Sequence, residues 1–111
     1  MTDSEYACTD HPPHDHVLVD EVVLHRAVEL FAALGDPSRL RLMEILQTGR
    51  HCVSELAVET DSSLSSVSQR LKQLARARLV TRVREGKHVY YSLTDDHVRK
   101  LLSEVFDHVH E

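Results

Sequence analysis

Apolar residues recur along this chain with two periods, which predict helices and one short hairpin. Spacings of three and four residues, typical of amphipathic helices, run through five segments. Strict alternation, typical of half-buried strands, runs through residues 80–84 and 88–93, with Glu85 and Gly86 between them. The first predicted helix spans residues 21–34, and the second begins at Asp36-Pro37 and ends at Gly49. The third spans residues 53–59, and the fourth, capped by Ser62 or Ser63, reaches Ala77. The last helix, capped by Thr94 or Asp95, runs to Glu111.

Each predicted helix has an apolar stripe that we expect to face the core. The expected core positions are Val23, Ala27, Leu30, Phe31 and Leu34, then Leu40, Met43, Ile45 and Leu46, then Leu56 and Ala57, then Val67, Leu71 and Leu74, and in the last helix Val98, Leu101, Leu102, Val105 and Val109. In the hairpin, Val89, Tyr91 and Leu93 share one face.

The order of these elements predicts a fold that is mainly α with a small β-hairpin. Two short helices around a polar turn of three or four residues form a helix-turn-helix, and the hairpin that follows forms a wing. A chain of 111 residues is long enough for one small domain. We therefore expect a winged helix-turn-helix domain over residues 17–111. Residues 1–16 contain Pro12 and Pro13 and have no apolar period, which predicts an irregular, mobile arm.

Charge is distributed unevenly along the chain. The net charge is −5, yet residues 69–92 contain seven Lys or Arg and one acid, whereas residues 1–29 contain seven acids and one Arg. A basic face on the second half suits the phosphates of double-stranded DNA. Serine, glutamine and arginine at the start of the fourth helix suit base edges and phosphates, and the other cations suit phosphates. The DNA-binding candidates are Ser65, Ser66, Ser68, Gln69, Arg70, Lys72, Arg76, Arg84 and Lys87. The alternative is a solvated basic helix beside a surface hairpin.

The last helix carries four residues with metal affinity, and helix geometry separates them into two pairs. Asp95 and His97 stand at its start, whereas His108 and Glu111, three residues apart, stand on one face at its end. His97 and His108 point within about 20° of each other but lie about 16 Å apart along the axis, too far for one ion to bridge.

The two pairs can meet in a homodimer whose last helices run antiparallel. Two-fold symmetry then makes two equal sites, each with two nitrogens and two carboxylate oxygens from different chains. Such a tetrahedral set suits zinc. The alternative is that these are solvated polar residues at helix ends.

Two cysteines, Cys8 and Cys52, form no disulfide framework. The sequence contains no signal peptide and no apolar run long enough to cross a membrane, so we expect a cytoplasmic protein with reduced thiols and no membrane partner. Nine histidines in so short a chain point to metal binding.

Four stretches resemble the ArsR/SmtB metal-responsive repressors, and most closely their zinc-sensing, SmtB-like branch. The stretches are LFAALGDPSRLRLMEIL (30–46), CVSELA (52–57), SSVSQRLKQLARARLV (65–80) and REGKHVYYSL (84–93). The resemblance covers about residues 20–111. It implies a homodimeric winged-helix repressor that binds a palindromic operator without metal and leaves it when metal binds, which derepresses genes for metal efflux or sequestration.

The resemblance also implies two metal sites. The zinc-sensing branch has D-x-H followed by H-x-x-E or H-x-x-H in its last helix, which Asp95, His97, His108 and Glu111 match. A second family site combines a cysteine and acid at the third helix with Cys and His from the partner's arm. Here Cys52 and Glu55 match the first part, and Cys8 with one or two of His11, His14 and His16 would supply the second. Cadmium or lead would favour this thiol site; otherwise Cys52 is a small buried hydrophobe.

The sequence thus predicts a zinc-responsive repressor and not an enzyme. One alternative is a repressor that senses thiol oxidation through Cys8 and Cys52. Another is a small zinc hydrolase, for which the chain offers no obvious pocket or open coordination position. Most relatives have histidine where this chain has Gln69, so the operator sequence cannot be carried over from them.

Overall fold

The computed structural model describes residues 17–111, and the predicted arm of residues 1–16 lies outside the described residues. The elements are α1 (Glu21–Leu34), α2 (Pro37–Leu46), β1 (His51–Cys52), α3 (Val53–Thr60), α4 (Leu64–Arg76), β2 (Val80–Glu85), β3 (His88–Leu93) and α5 (Asp96–His110). The predicted five helices and hairpin are confirmed, in the predicted order.

Short polar side chains cap the starts of the helices. The Asp36 carboxylate accepts from the Arg39 amide at 3.0 Å, Ser63 Oγ from the Ser66 amide at 3.1 Å, and the Asp95 carboxylate from the Val98 amide at 3.1 Å. Each bond satisfies one of the amides that a helix start leaves without an intrahelical partner. The turn between α3 and α4 needs no glycine because Asp61 takes the left-handed conformation, with φ of 50°.

A third strand enlarges the predicted hairpin into a sheet with the order β1-β3-β2, all antiparallel. β2 and β3 pair from Val80 opposite Leu93 to Glu85 opposite His88, and Gly86 supplies positive φ in the tight turn. β1 pairs His51 with Tyr91 and Cys52 with Tyr90. The prediction missed β1 because two residues are too few to show an alternating pattern.

The core lies where α2, α3 and α4 meet beneath the sheet. As predicted, Val67, Leu71 and Leu74 of α4 are fully buried, as is Leu56 of α3. In α2 the prediction was partly wrong: Leu42 is fully buried beside Met43 and Leu46, whereas Leu40 and Ile45 are only partly buried. A ten-residue helix that packs on several neighbours buries more than one narrow stripe, and the spacing rule did not single out Leu42.

Large apolar side chains remain exposed on α1 and on the second half of α5. Phe31 of α1 is 65% exposed and Val109 of α5 is 74% exposed, although both were predicted core positions. Val23 and Val105 were also expected core positions, and they are 47% and 39% exposed. Further exposed apolar residues are Val17, Leu18, Val19, Val22, Leu24 and Val28. All of these exposed residues together are called the α1/α5 apolar face below. None of the helices in residues 17–111 is both long and apolar enough to cross a membrane.

Candidate functional site

Four of the predicted DNA-binding residues lie along the outward face of α4. Ser65, Gln69, Lys72 and Arg76 are exposed, and their spacings of four, three and four residues place them in one row. The row lies opposite the buried Val67, Leu71 and Leu74. All four line a shallow depression on the surface of this helix. Their polar and cationic groups are therefore available to a ligand of opposite charge.

Two other predicted residues of α4 contact the turn between the helices. Ser63 Oγ accepts from the Ser66 amide and donates to Ser66 Oγ at 2.9 Å. The guanidinium of Arg70, which is half-buried, donates to Ser62 Oγ at 3.3 Å. Arg70 thus braces the turn in the free protein, and Ser66 helps to cap the helix.

The wing carries the exposed Arg84 and Lys87, and an ion pair at its tip joins it to the domain. Arg84 Nε donates to the carbonyl of Gly86 at 3.2 Å within the wing turn. Arg50, just before β1, pairs with the Glu85 carboxylate at 2.8 Å and lies 4.2 Å from the centre of the Tyr90 ring. The hydrogen bond and the positive charge of Arg50 lower the pKa of Glu85. Sequence reasoning missed Arg50 because nothing in its local pattern marks it as a partner of the wing.

A groove separates α4 from the wing, and we call it the α4–wing groove. Its lining residues are Val53, Ser68, Lys72, Ala75, Arg76, Arg82, Val89 and Tyr91. The charged residues among them, Lys72, Arg76 and Arg82, are all cations. Arg82 stands opposite Tyr91 in the sheet, so the two side chains share the face that looks toward α4. The groove therefore combines cationic walls with a partly apolar floor.

The metal-binding candidates of α5 stand in two exposed pairs at its ends. One oxygen of Asp95 caps the helix, and the other lies 3.8 Å from Nδ1 of His97, whose side chain is 96% exposed. His108 and Glu111 are exposed at the other end. His108 lies eleven positions after His97 along a regular helix, which corresponds to a rise of about 16 Å. Within residues 17–111, no three His, Cys, Asp or Glu side chains converge on one point in the protomer.

The second candidate metal site begins at the start of α3. The Glu55 carboxylate accepts from the Cys52 amide at 2.9 Å, and Cys52 Sγ lies 3.1 Å from Ser54 Oγ. The hydrogen bond from the Cys52 backbone lowers the pKa of Glu55, and a smaller contribution in the same direction comes from the Cys52 side chain. Cys52 is partly exposed and is not a buried hydrophobe. The other candidates for this site, Cys8, His11, His14 and His16, lie outside the described residues.

His51 precedes Cys52 in the two-residue strand β1, and the sequence prediction did not select it. Its Nδ1 lies 2.7 Å from the carbonyl oxygen of Gly49, and its Nε2 lies 3.9 Å from a carboxylate oxygen of Glu59. The imidazole therefore bridges the loop before β1 and the second half of α3. The sequence prediction missed His51 because it also missed β1, the two-residue strand that contains it.

A helix-turn-helix with an exposed polar row, followed by a cationic wing, defines a winged helix-turn-helix protein of the DNA-binding type. Residues 36–82 match the family described as bacterial regulatory protein, arsR family. The chain belongs to this family, because the family model and the relatives described below agree.

Two relatives and one solved structure illustrate the likeness. A transcriptional repressor SmtB homolog from Synechocystis is 51% identical over 83 residues, which are 75% of this chain and 63% of the relative. A cadmium resistance transcriptional regulatory protein CadC homolog from Staphylococcus aureus is 36% identical over 84 residues, 75% of this chain and 69% of the relative. A homodimeric winged helix-turn-helix DNA-binding domain from Mycobacterium bovis superposes with a TM-score of 0.79 at 26% identity, covering 86% of this chain and 91% of that one. The chain thus spans a little under two thirds of the SmtB homolog.

Proposed function

We propose that this protein is a metal-responsive transcriptional repressor whose apo homodimer binds a palindromic operator and leaves it when zinc binds. Release would derepress genes for metal efflux or sequestration. The observation that carries the zinc proposal is that Asp95 with His97 and His108 with Glu111 stand exposed at opposite ends of α5. The named functions of the relatives support the coarser statement, because one is a repressor and another regulates cadmium resistance.

The α1/α5 apolar face supports the homodimer. Val22, Val28 and Phe31 of α1 are each more than half exposed, and Val109 of α5 is as well. Many large apolar side chains exposed on the same two helices indicate an interaction site in a soluble protein. A second copy of the chain fits as the partner because a two-fold axis buries the same face on both copies. The homodimeric Mycobacterium bovis neighbour has the same fold.

Antiparallel packing of the two α5 helices would unite the clusters that one helix holds apart. Asp95 and His97 of one chain would then meet His108 and Glu111 of the other, and symmetry would create two equal sites. Zinc accepts two imidazole nitrogens and two carboxylate oxygens in a tetrahedron. By linkage, DNA must weaken zinc binding by the factor by which zinc weakens DNA binding, a coupling of about 1–3 kcal/mol or more for a useful sensor.

The test is to mix two inactive variants. His97→Ala and His108→Ala homodimers should each lose tight zinc binding, because each variant lacks one histidine at both sites, and should still bind operator. In a heterodimer of the two variants, one site lacks both histidines and the other keeps both. Re-annealed mixtures should therefore recover up to one zinc site per heterodimer, measured by competition with a zinc indicator.

A mixture in which mass spectrometry detects heterodimers but zinc binding does not recover would rule out a site shared between chains. The matched control is His110→Ala. His110 stands on the same turn as His108 and is exposed, yet it does not belong to the predicted site. This variant should bind zinc and operator as the native chain does.

We further propose that Cys52 and Glu55 of one chain form a second site with Cys8 and one or two of His11, His14 and His16 from the arm of the other chain. Its soft thiolates would favour cadmium or lead over zinc. The partial exposure of Cys52 and its position beside Glu55 at the start of α3 support this proposal. Cadmium should produce a thiolate charge-transfer absorption that Cys52→Ser abolishes and Cys8→Ser reduces. Release of operator by an oxidant, without any response to metal, would instead select the thiol redox repressor.

A further inference from the structure

The first sixteen residues and the α4–wing groove carry opposite charges. Residues 1–16 contain four acids and no Lys or Arg: the acids are Asp3, Glu5, Asp10 and Asp15. The charged residues that line the groove are all cations: they are Lys72, Arg76 and Arg82. Two regions of one chain with such complementary charge attract each other over about one Debye length, which is roughly 8–10 Å at physiological salt.

Nothing within the wing cancels the charge of this groove. The single acid among residues 69–92 is Glu85, and its carboxylate is paired with Arg50 at 2.8 Å, at the tip of the wing. Lys72, Arg76 and Arg82 have no carboxylate within ion-pair distance in the described part of the chain. All three cations line the groove, and Arg76 also lines the depression that contains Glu29 of α1.

The floor of the groove favours a peptide segment over a simple anion. Val53, Val89 and Tyr91 contribute apolar surface between the cationic walls. A phosphate or chloride ion would satisfy the cations and leave this floor exposed. Residues 1–16 offer Tyr6 between Glu5 and Asp10, which pairs an aromatic ring with carboxylates on either side.

The same chain can reach the groove. Arg26 and Glu29 of α1 line a depression together with Arg76 of α4, so α1 crosses the end of α4 beside the groove. From Arg26 back to Glu21 the chain is helical, and from Glu21 back to Val17 it could at most be fully extended. The two parts together span at most about 22 Å. About seven fully extended residues can span an equal distance, so the chain from Val17 to Asp10 is long enough to reach Arg76.

We propose that the acidic segment of residues 1–16 docks in the α4–wing groove of its own chain and competes there with DNA. The competition requires no metal. It rests on the proposed DNA-binding function only in so far as DNA needs Lys72 and Arg76, which also line the groove. The segment would weaken binding to all DNA sequences by the same factor, because every sequence must displace it.

The strength of the contact must depend on salt. Exposed ion pairs are individually weak, and salt screens them. Several pairs formed by one tethered segment act together, because the tether makes their encounter intramolecular. The docked state should therefore dominate at low salt and disappear at high salt.

The test compares two full-length variants with the same change in net charge, under metal chelation. Glu5→Gln/Asp10→Asn neutralises the segment, and the control Glu104→Gln/Asp107→Asn neutralises two exposed acids of α5. In NMR spectra at about 25 mM salt, the amide signals of Lys72, Arg76 and Arg82 should shift in the first variant and not in the control. The difference from the native chain should vanish at about 0.5 M salt.

Affinity for random-sequence duplex supplies the second readout. At low salt the first variant should bind about 3–10-fold more tightly than the native chain, and the control should gain clearly less, since only net charge changes there. Identical groove signals in the native chain and the first variant would overturn the proposal. Equal gains in affinity for the two variants would also overturn it. If the native chain does not bind DNA, the repressor proposal fails, and the NMR comparison still decides whether the segment docks.

Discussion

α4 and α5 are amphipathic helices of similar length, yet they complete their packing in different ways. α4 has 13 residues and buries Val67, Leu71 and Leu74 fully within the protomer. α5 has 15 residues and buries Val98 and Leu102, whereas Val109 near its end remains mostly exposed. A helix that is already packed can present its polar face to a ligand. A helix whose apolar stripe continues beyond its own core is suited to a second chain.

The metal-binding candidates follow the same division. α5 carries them at both ends of a stripe that its protomer leaves open, so the same helix can bind a partner and ions shared with it. α4 has no such residues on its outward row of Ser65, Gln69, Lys72 and Arg76. If the proposed function is correct, signal input and DNA reading would lie on separate helices, and the dimer interface would connect them.

The largest expected effect is a loss of stability from α4. Leu71→Ala removes a fully buried side chain and leaves a cavity, so the free energy of unfolding should fall by about 2–5 kcal/mol. Urea unfolding measures it. The control Ser65→Ala, on the outward row of the same helix, should change stability by no more than about 0.5 kcal/mol. Equal losses for the two variants would show that α4 is not anchored as described.

A change at Val109 should act on association instead. Val109→Asp places one carboxylate from each chain in the two-fold interface, where the burial of an unpaired charge costs free energy. The dissociation constant of the dimer should rise at least about tenfold, which is 1.4 kcal/mol. Analytical ultracentrifugation measures it. Val58→Asp is the matched control, because Val58 is 81% exposed on α3 and outside the α1/α5 apolar face. If Val58→Asp dissociates the dimer and Val109→Asp does not, α5 is not the interface.

The outward row of α4 and the wing should differ in what they contribute to DNA binding. Gln69→Ala should change base preference, at about 1–3 kcal/mol for the base that the amide pairs with. Lys87→Ala should weaken binding to all sequences alike and reduce the salt slope by about one. Affinities for a panel of operator variants at several salt concentrations separate the two. A change in base preference with Lys87→Ala and none with Gln69→Ala would reverse the assignment.

Arg70 sharpens this prediction. The sequence places it among the base-reading residues, and the structure directs its guanidinium to Ser62. Arg70→Ala should therefore weaken the helix-turn-helix itself and lower affinity for all sequences. A selective loss at one guanine would instead mean that Arg70 leaves Ser62 when DNA binds.

Local patterns predicted most of the fold because the capping residues and apolar spacing that define most elements lie within a few residues of each other. Asp36, Ser63 and Asp95 cap helices as expected, and the α4 stripe is buried as expected. Contacts between distant segments left no local signal. β1 is defined only by its pairing with β3, and Arg50 finds Glu85 only after the sheet has formed. The stripes of α1 and α5 were predicted correctly as apolar, but their period does not say whether the same chain or another one covers them.

The smallest expected effect lies at the tip of the wing. Arg50 lowers the pKa of Glu85, so the folded chain releases the Glu85 proton more readily than the unfolded chain does. The resulting stabilisation of the wing is present above the ordinary glutamate pKa of about 4.5, and it is lost as pH falls through the lower folded pKa. In NMR titrations from about pH 6 to 3, the Lys87 and Tyr90 amide signals should follow this protonation in the native chain. In Glu85→Gln they should stay flat. The Cys52 amide reports Glu55, whose pKa is also lowered, and it should titrate in both proteins. Wing signals that titrate unchanged in Glu85→Gln would show that the Arg50–Glu85 pair does not hold the wing.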